Sequence, residues 1–208
     1  QVKHGAFTVS DTSGNFLIDS KKGDTLIFNL TGYKTEGVII RDIEKPVTVV
    51  LSSGIILNEV ENFSSGMIAE LTKYIDNGGY FAVIPAVKVN QQNYNEFYKT
   101  LSLPLISGLD TGKLKVEKAD FKTGFYDGVF DKIDERMDLP VIRKHYTFNM
   151  ASKNNINPVL KLINSETWLG EIAIKNAKVY VFASALDESF TNFCKHALFV
   201  PTLYKMAI

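Results

Sequence analysis

The sequence predicts an α/β protein with a mostly parallel sheet, preceded by a small antiparallel β module. Two observations support this prediction. Residues 1–51 contain short β-prone runs separated by turn signals, whereas helical and strand patterns alternate from Ser52 onward. Such alternation is typical of a mostly parallel sheet that is covered by helices on both faces. We therefore divide the chain into two units, residues 1–51 and residues 52–208.

The length and composition of the chain agree with this division and exclude some classes of function. A chain of 208 residues fits a small module joined to one α/β domain, or a single medium domain. Lys and Arg together number 23, as do Asp and Glu, and the charges are dispersed along the sequence. Because phosphate binding needs a concentrated basic surface, we expect no nucleic-acid partner.

The amino-terminal module is predicted from β-prone runs between turn residues. Turn signals lie at residues 11–14, 22–24 and 31–32. The spacing predicts a small antiparallel unit, which is a β-sandwich or part of one. The predicted strands cover residues 6–9, 15–19, 25–30, 38–41 and 47–51.

The second unit begins with a strand, a helix and another strand. An apolar run at residues 55–57 predicts the first strand. Ser64 or Ser65 can cap the following helix, whose apolar residues repeat at helical spacing until the glycine pair 78–79. The apolar run at residues 80–84 predicts the second strand, which is buried.

The turn after this second strand is where an enzyme of this architecture would place its nucleophile. Amidotransferases and hydrolases with such a sheet need a strained turn in which Cys or Ser is flanked by Gly. This chain has Pro85, Ala86 and Val87 at that position. We therefore predict the framework of such a fold without its chemistry.

The rest of the chain continues with strands and helices. Asn164 and Ser165 mark a tight turn between two strands of a predicted β meander. Pro201 should kink the closing helix or split it in two, because it removes a backbone donor and its ring clashes with the preceding turn. The predicted elements are a helix at 93–101, a strand at 113–117, an irregular acidic connection at 121–138, the meander at 145–149, 159–163 and 168–174, a strand at 178–185 and a helix at 193–207.

Four polar residues after the last strand are the strongest candidates for catalysis. Open α/β sheets bind ligands at the carboxyl ends of their strands, and a relay of Ser184, Asp187 and His196 can be drawn there. Neither Ser184 nor Ser189 lies on a glycine-flanked turn. Asp187 and Ser189 are better suited to cap the next helix. We favour capping, and a hydrolase that uses Ser184, Asp187 and His196 remains the alternative.

Other chemically active residues are interpreted as structural. Cys194 lies just inside the predicted closing helix, whose amino terminus can lower the pKa of a thiol, but its neighbours Phe193 and Ala197 favour a packed position. As the sole cysteine it excludes an internal disulfide and a multi-cysteine metal site. The histidines His4, His145 and His196 have no metal-ligand spacing. The acidic connection contains five carboxylates that could suggest a calcium loop, but it lacks the spacing and the central glycine of such a loop. These residues are Asp127, Asp131, Asp134, Glu135 and Asp138.

Two parts of the chain resemble known families. Residues 9–16 (VSDTSGNF), 22–26 (KGDTL) and 32–35 (GYKT) resemble the carboxypeptidase-regulatory-like β-sandwich of exported Bacteroidetes proteins. Residues 178–187 (KVYVFASALD) and 189–201 (SFTNFCKHALFVP) are similar to the late part of the large Bat-type membrane proteins (BatA, Bacteroides aerotolerance) of Bacteroidetes. The same similarity in order and spacing extends to residues 56–60, 64–66, 78–79, 103–104, 128–130 and 139–140.

The second resemblance implies a fold, a location and a mode of action. The fold would be a class I glutamine-amidotransferase-like, flavodoxin-like domain over residues 52–208. The location would be the periplasmic side of the inner membrane, with the membrane anchor outside this fragment. The protein would be linked to stress or oxygen tolerance and would act through protein contacts, with no catalytic residue and no cofactor. A ligand- or carbohydrate-binding domain, with Tyr, Trp and Asn side chains lining a groove at the carboxyl edge of the sheet, is a further alternative.

Overall fold

The computed structural model describes residues 6–30, 33, 36–51, 54–117, 124–130, 138–149 and 156–207. The strands within these ranges are β1 (Thr25–Phe28), β2 (Glu36–Ile39), β3 (Ile55–Val60), β4 (Tyr80–Pro85), β5 (Leu105–Asp110), β6 (Leu114–Lys115), β7 (Val141–Ile142), β8 (His145–Asn149), β9 (Ile156–Lys161), β10 (Thr167–Ile174) and β11 (Ala177–Phe182). The helices are α1 (Ser65–Asp76), α2 (Gln91–Thr100) and α3 (Phe199–Met206), together with 3₁₀ helices at Gly124–Tyr126 and Phe193–Lys195.

The central sheet is mixed. Its five strands lie in the order β3-β4-β11-β10-β9. β3, β4 and β11 are parallel to one another, whereas β10 is antiparallel to both β11 and β9. The prediction of a mostly parallel, flavodoxin-like sheet of the class I glutamine-amidotransferase type is therefore wrong.

The short connections explain why the last three strands are antiparallel. β10 and β11 are joined by Lys175 and Asn176 alone, and β9 and β10 by residues 162–166. A parallel crossover needs a dozen or more residues, so neither connection is long enough to return the chain in the same direction. Lys175 has a φ of 52°, and Ser165 has a φ of 70°, as tight turns between antiparallel strands require.

Two hydrophobic clusters pack on the two faces of this sheet. Phe81 and Val83 of β4 belong to one cluster, and Ala82 and Ile84 to the other. Successive side chains of a strand point to opposite faces, so the clusters lie on opposite faces. The first cluster includes residues of α1 and α2, and the second includes residues of α3 and of the 3₁₀ helix Phe193–Lys195.

The amino-terminal module contains less β structure than predicted. β1 and β2 form an antiparallel pair with Thr25 opposite Ile39 and Phe28 opposite Glu36. The runs predicted as strands at 6–9, 15–19 and 47–51 lie within the described residues but carry no strand. In the described part of the chain the module thus has two of the five predicted strands, and its assignment to a β-sandwich or part of one stays a prediction. The domain boundary at residue 51 stays a prediction.

Several later elements also differ from the predictions. β8 pairs with β5, which was not predicted, so β8 is not part of the meander formed by β9, β10 and β11. The segment predicted as one closing helix forms two pieces, the 3₁₀ helix Phe193–Lys195 and α3, which begins at Phe199. Pro201 thus lies in the first turn of α3, where its missing N–H leaves no hydrogen bond unmade.

The start of α1 confirms the predicted cap. The Ser64 hydroxyl accepts a hydrogen bond from the Met67 amide at 3.2 Å, and the helix runs from Ser65 to Asp76. Gly78 follows the helix with a φ of 84°, a left-handed conformation that favours glycine. Local signals were sufficient here, because both ends of the helix are set by residues within a few positions of them.

We predict that Ser64→Ala lowers the free energy of unfolding by about 1 kcal/mol, because the substitution leaves a first-turn amide without its acceptor. Ser65→Ala, one residue further along, is the matched control and should change stability by less than about 0.5 kcal/mol. Urea unfolding followed by circular dichroism measures both. Equal effects of the two substitutions would contradict the assignment of Ser64 as the cap.

Candidate functional site

The bend after β4 is held by two tyrosine hydroxyls. The Tyr94 hydroxyl accepts a hydrogen bond from the Ala86 amide at 3.3 Å and donates to the Val60 carbonyl. The Tyr146 hydroxyl lies 2.9 Å from the Ala86 carbonyl oxygen and 3.0 Å from that of Val87, so its one proton is shared between two acceptors. The position at which a hydrolase would carry its nucleophile therefore holds a buried alanine, whose backbone is fixed by side chains from α2 and β8.

The two tyrosines act as neutral hydrogen-bonding groups. Burial raises the pKa of Tyr94 to about 12, and the hydrogen bond from the Ala86 amide opposes this rise only in part. Burial also raises the pKa of Tyr146. A phenol that keeps its proton at neutral pH is a poor general base, so these hydroxyls support the bend and do not replace the missing nucleophile.

The structure does not assemble the serine, acid and histidine relay. The Ser184 hydroxyl is fully buried and accepts a hydrogen bond from the Trp168 indole at 2.9 Å. Asp187 accepts hydrogen bonds from the amide and the hydroxyl of Ser189. His196 Nε2 lies 2.7 Å from the Asp138 carbonyl oxygen, and its Nδ1 accepts from the Leu198 amide at 3.2 Å. Each of the three residues is engaged elsewhere.

The predicted capping role of Asp187 and Ser189 is wrong as well. Hydrogen bonds from Ser189, first from its hydroxyl and then from its amide, hold the pKa of Asp187 below its ordinary value. These bonds stabilise a local turn and do not reach the next helix. The amide of Phe193, the first residue of the following 3₁₀ helix, instead donates to the Thr191 hydroxyl at 3.1 Å.

Cys194 is exposed, so the predicted packed position is wrong. It lies in the 3₁₀ helix, and its thiol donates to the Leu186 carbonyl at 3.3 Å. Partial burial of the sulfur raises the pKa of the Cys194 thiol above its ordinary value. A raised pKa decreases the thiolate fraction, which is the reactive form.

We predict that alkylation of Cys194 by iodoacetamide is slow at neutral pH and that its rate still rises above about pH 9, because the thiol pKa is raised and not lowered. Mass spectrometry of the intact chain measures the rate at each pH, and free cysteine is the reference. A rate that reaches a plateau near pH 7 would show an activated thiol and contradict this assignment.

The remaining metal-ligand candidates lie partly outside the described residues. His4 lies outside the described residues, as do Asp131, Asp134 and Glu135. Among the residues that the structure describes, no group of three or more His, Cys, Asp and Glu side chains could hold a metal ion. His145 and His196 are instead bonded to Glu166 and to the Asp138 backbone.

A cavity lies between β8 and the turn that joins β9 to β10. Its volume is about 230 Å³, and its lining consists of residues 145–148 and 164–167. The Tyr146 amide donates to the Ala183 carbonyl, directly after β11, so the cavity lies near the carboxyl end of that parallel strand. This is the edge at which open sheets usually bind ligands.

A histidine–glutamate pair forms one wall of this cavity. His145 is 1% exposed, and its Nε2 lies 2.7 Å from Glu166 Oε2. The side-chain amide nitrogen of Asn164, Nδ2, donates to the same oxygen at 2.8 Å. The Glu166 side chain remains 44% exposed. Sequence analysis missed this pair, because no spacing rule connects two residues that meet only through the packing of β8 against a distant turn.

The amino-terminal module presents an unusual amount of apolar surface. Phe7 is 91% exposed, Leu17 90% and Val50 83%. We define the amino-terminal apolar surface as the exposed large hydrophobic residues of this module, namely Phe7, Val9, Leu17, Ile27, Leu30, Ile39, Ile43 and Val50. Two open hollows of about 530 and 660 Å³ lie in the module and share Phe16, Ile18 and Leu26 in their linings. Such hollows are not typical of a packed core.

Comparisons with known proteins found matches among solved structures alone. No family model and no curated protein matches the chain. The chain is similar to a cytoplasmic protein from Salmonella typhimurium, with a TM-score of 0.52 and 15% sequence identity over 70% of this chain and 61% of that chain. A second cytoplasmic protein from that species has a TM-score of 0.48 and 14% identity over 67% and 58%. An exo-β-1,4-mannosidase from an Opitutaceae bacterium has a TM-score of 0.44 and 10% identity over 64% and 21%.

The first of these similarities shows the fold alone, because the sequence identity is low. The chain spans less than two thirds of the length of each of these three structures. In the described part of the chain, every helix is too short or too polar to cross a membrane.

Proposed function

We propose that this chain is a non-catalytic protein-binding element, and that a partner protein covers its amino-terminal apolar surface. The observation that carries this proposal is the exposure of that surface. Monomeric soluble proteins rarely expose large contiguous apolar patches, and larger ones mark interaction sites. Phe7 and Leu17 are almost fully exposed, which leaves most of their apolar area available for burial by a partner.

The strand arrangement of the module supports the same proposal. β1 and β2 form a two-stranded sheet, and neither has another strand as a neighbour among the described residues. A two-stranded hairpin is marginally stable in water and needs further strands or a packed layer. Ile27 and Ile39 add apolar side chains to the exposed face of this sheet. A partner that supplies a strand or an apolar layer would satisfy both needs.

The geometry after β4 and β11 favours binding over turnover. Ala86 occupies the bend where a nucleophile would lie, and the Ser184 hydroxyl is buried against Trp168. The alternative hydrolase would need Ser184 within hydrogen-bond reach of an imidazole. We infer from this arrangement that the chain is not an enzyme.

The location and family are part of the proposal. The similarity of residues 178–187 and 189–201 to Bat-type proteins supports an extracytoplasmic domain of a membrane-anchored protein linked to stress or oxygen tolerance. In such a protein, a domain that binds a partner can serve as a scaffold. This placement rests on the sequence similarity and not on the fold.

The binding proposal is tested by isolating partners from a native membrane extract of the source organism. The baits are the unmodified chain, Phe7→Asp, Leu17→Asp and Val200→Asp. Val200→Asp is the matched control, because Val200 is also an exposed apolar residue, 71% exposed, but lies on α3 and outside the amino-terminal apolar surface. All three substitutions are at exposed positions, so each should alter stability by less than about 0.5 kcal/mol. Label-free mass spectrometry measures the amount of each captured protein.

We expect the unmodified chain and Val200→Asp to capture one or more proteins. The captured amount should fall at least about tenfold with Phe7→Asp and with Leu17→Asp, because each substitution would bury a charge in an apolar contact. Equal capture by all four baits would overturn the role of this surface. Failure of every bait to retain a protein would overturn the proposal as a whole.

The non-catalytic part has a separate test. Glutaminase and esterase assays should show no turnover above that of a heat-unfolded sample. Turnover that disappears with Ser184→Ala or Cys194→Ala would contradict the proposal.

A further inference from the structure

We propose that the cavity beside Glu166 is a binding site for a small cation that carries several hydrogen-bond donors, namely a primary amine or a guanidinium group. This site is independent of the amino-terminal apolar surface. Its walls come from β8 and from the turn between β9 and β10, and its volume is about 230 Å³. Pockets for drug-sized ligands measure roughly 300–1,000 Å³, so the occupant is smaller than these.

The Glu166 carboxylate is held in one orientation before any ligand binds. Its Oε2 accepts hydrogen bonds from His145 Nε2 at 2.7 Å and from the side-chain nitrogen of Asn164, Nδ2, at 2.8 Å. The Glu166 backbone amide donates to the Asn164 side-chain oxygen at 3.1 Å, which links both residues of the turn. A side chain that is ordered in advance loses less conformational entropy when a ligand binds.

The second carboxylate oxygen of Glu166 is available to a ligand. In the described part of the chain, Glu166 Oε1 accepts no hydrogen bond, and the side chain is 44% exposed. The Oε2 atom is already occupied by two donors. An incoming N–H group therefore meets a free, oriented acceptor at the edge of the cavity.

The charge balance of the site favours a cationic ligand over a neutral one. Within the described residues, Glu166 forms no ion pair with Lys or Arg, and its one ionisable partner is His145. The His145 Nδ1 atom is buried and has no hydrogen-bond partner among the described residues. The site thus presents a carboxylate that is paired with no Lys or Arg of the described residues, and a bound cation would pair with it.

The remaining lining suits an amine or a guanidinium group. Thr147, Ser165 and Thr167 bring hydroxyl groups that can accept further hydrogen bonds. A cation would also gain charge attraction from the Glu166 carboxylate, whereas a neutral polyol would use only its hydrogen-bonding capacity.

The proposal is tested by adding methylguanidinium chloride to the ¹⁵N-labelled chain and recording amide chemical shifts. We expect saturable shifts that are confined to residues 145–148 and 164–167. Glu166→Gln keeps the size of the side chain and removes its charge, and should weaken binding at least about tenfold. Glu70→Gln is the matched control, because Glu70 is an exposed carboxylate on α1 that is paired with Lys73. It should leave binding unchanged.

Two further outcomes decide between the alternatives. Saturable shifts with glucose but none with methylguanidinium would overturn the cation assignment and indicate a polyol site. Shifts of equal size in the unmodified chain and in Glu166→Gln, or shifts that do not saturate, would overturn the site itself. The spectrum of each variant away from the cavity shows whether it is folded.

Discussion

Tyr94→Phe is expected to lower the free energy of unfolding by about 3 kcal/mol, because it leaves the buried Ala86 amide and the Val60 carbonyl without their partner. The ring itself is fully buried in the cluster on the α1 and α2 face and stays in place. The loss is therefore one of hydrogen bonding and not of packing. Urea unfolding, monitored by tyrosine fluorescence and by circular dichroism, measures it.

Tyr98→Phe is the matched control on the same helix, and its expected effect has the opposite sign. The Tyr98 hydroxyl is buried and has no hydrogen-bond partner among the described residues. Burial raises the pKa of Tyr98 well above its ordinary value. Removing this unpaired hydroxyl should raise the free energy of unfolding by about 1 kcal/mol. If both substitutions destabilise the chain equally, the Tyr94 hydroxyl does not support the bend after β4.

Ser184→Ala is expected to lower the free energy of unfolding by about 2 kcal/mol, because the buried Trp168 indole N–H loses its acceptor. The same substitution in a Trp168→Phe background should cost less than about 0.5 kcal/mol, because neither polar partner is then left unpaired. The double-mutant cycle isolates the hydrogen bond from the packing loss that Trp168→Phe itself causes. Chemical unfolding of all four variants provides the values.

The alternative hydrolase makes a different prediction for the same variants. A catalytic Ser184 could be changed to Ala with little loss of stability, and turnover would disappear. A Ser184→Ala variant that is as stable as the unmodified chain in both backgrounds would therefore contradict the structural assignment of this hydroxyl.

The sequence predicts those helices and strands whose signals lie within the element or within a few residues of its ends. The cap at Ser64 and the glycine after α1 lie within a few residues of the helix ends that they determine. β4 was predicted from a buried apolar run. β5 was missed because Ser107 and Gly108 interrupt its apolar pattern, although its pairing with β8 holds it in the structure.

Strand direction was the error with the largest consequence. Periodicity shows that a segment is a strand but not which neighbour it pairs with. The short connection at Lys175 and Asn176 already excluded a parallel crossover between β10 and β11. Connection length is therefore the more informative signal here, because it limits strand direction, whereas the alternation of helices and strands does not.

The candidate sites depend on contacts that no local pattern contains. Tyr94 and Tyr146 meet at the Ala86 backbone from two separate elements. His145 and Glu166 likewise come from two separate elements and form one wall of a cavity. The alternative relay of Ser184, Asp187 and His196 is not formed for the opposite reason, because residues close in sequence have other partners in the fold. Proximity along the chain was a poor guide to proximity in the fold.

Hydrogen–deuterium exchange of the chain, alone and bound to its captured partner, tests the central claim most directly. The amides of residues 6–30 and 36–51 should exchange quickly in the free chain. The two-stranded sheet leaves one edge of each strand without a neighbouring strand, so few of these amides are protected by sheet hydrogen bonds. Binding should slow exchange in these ranges at least about tenfold and leave β4 and β11 unchanged. Slowing confined to the five-stranded sheet or to the cavity beside Glu166, with residues 6–51 unaffected, would contradict the account.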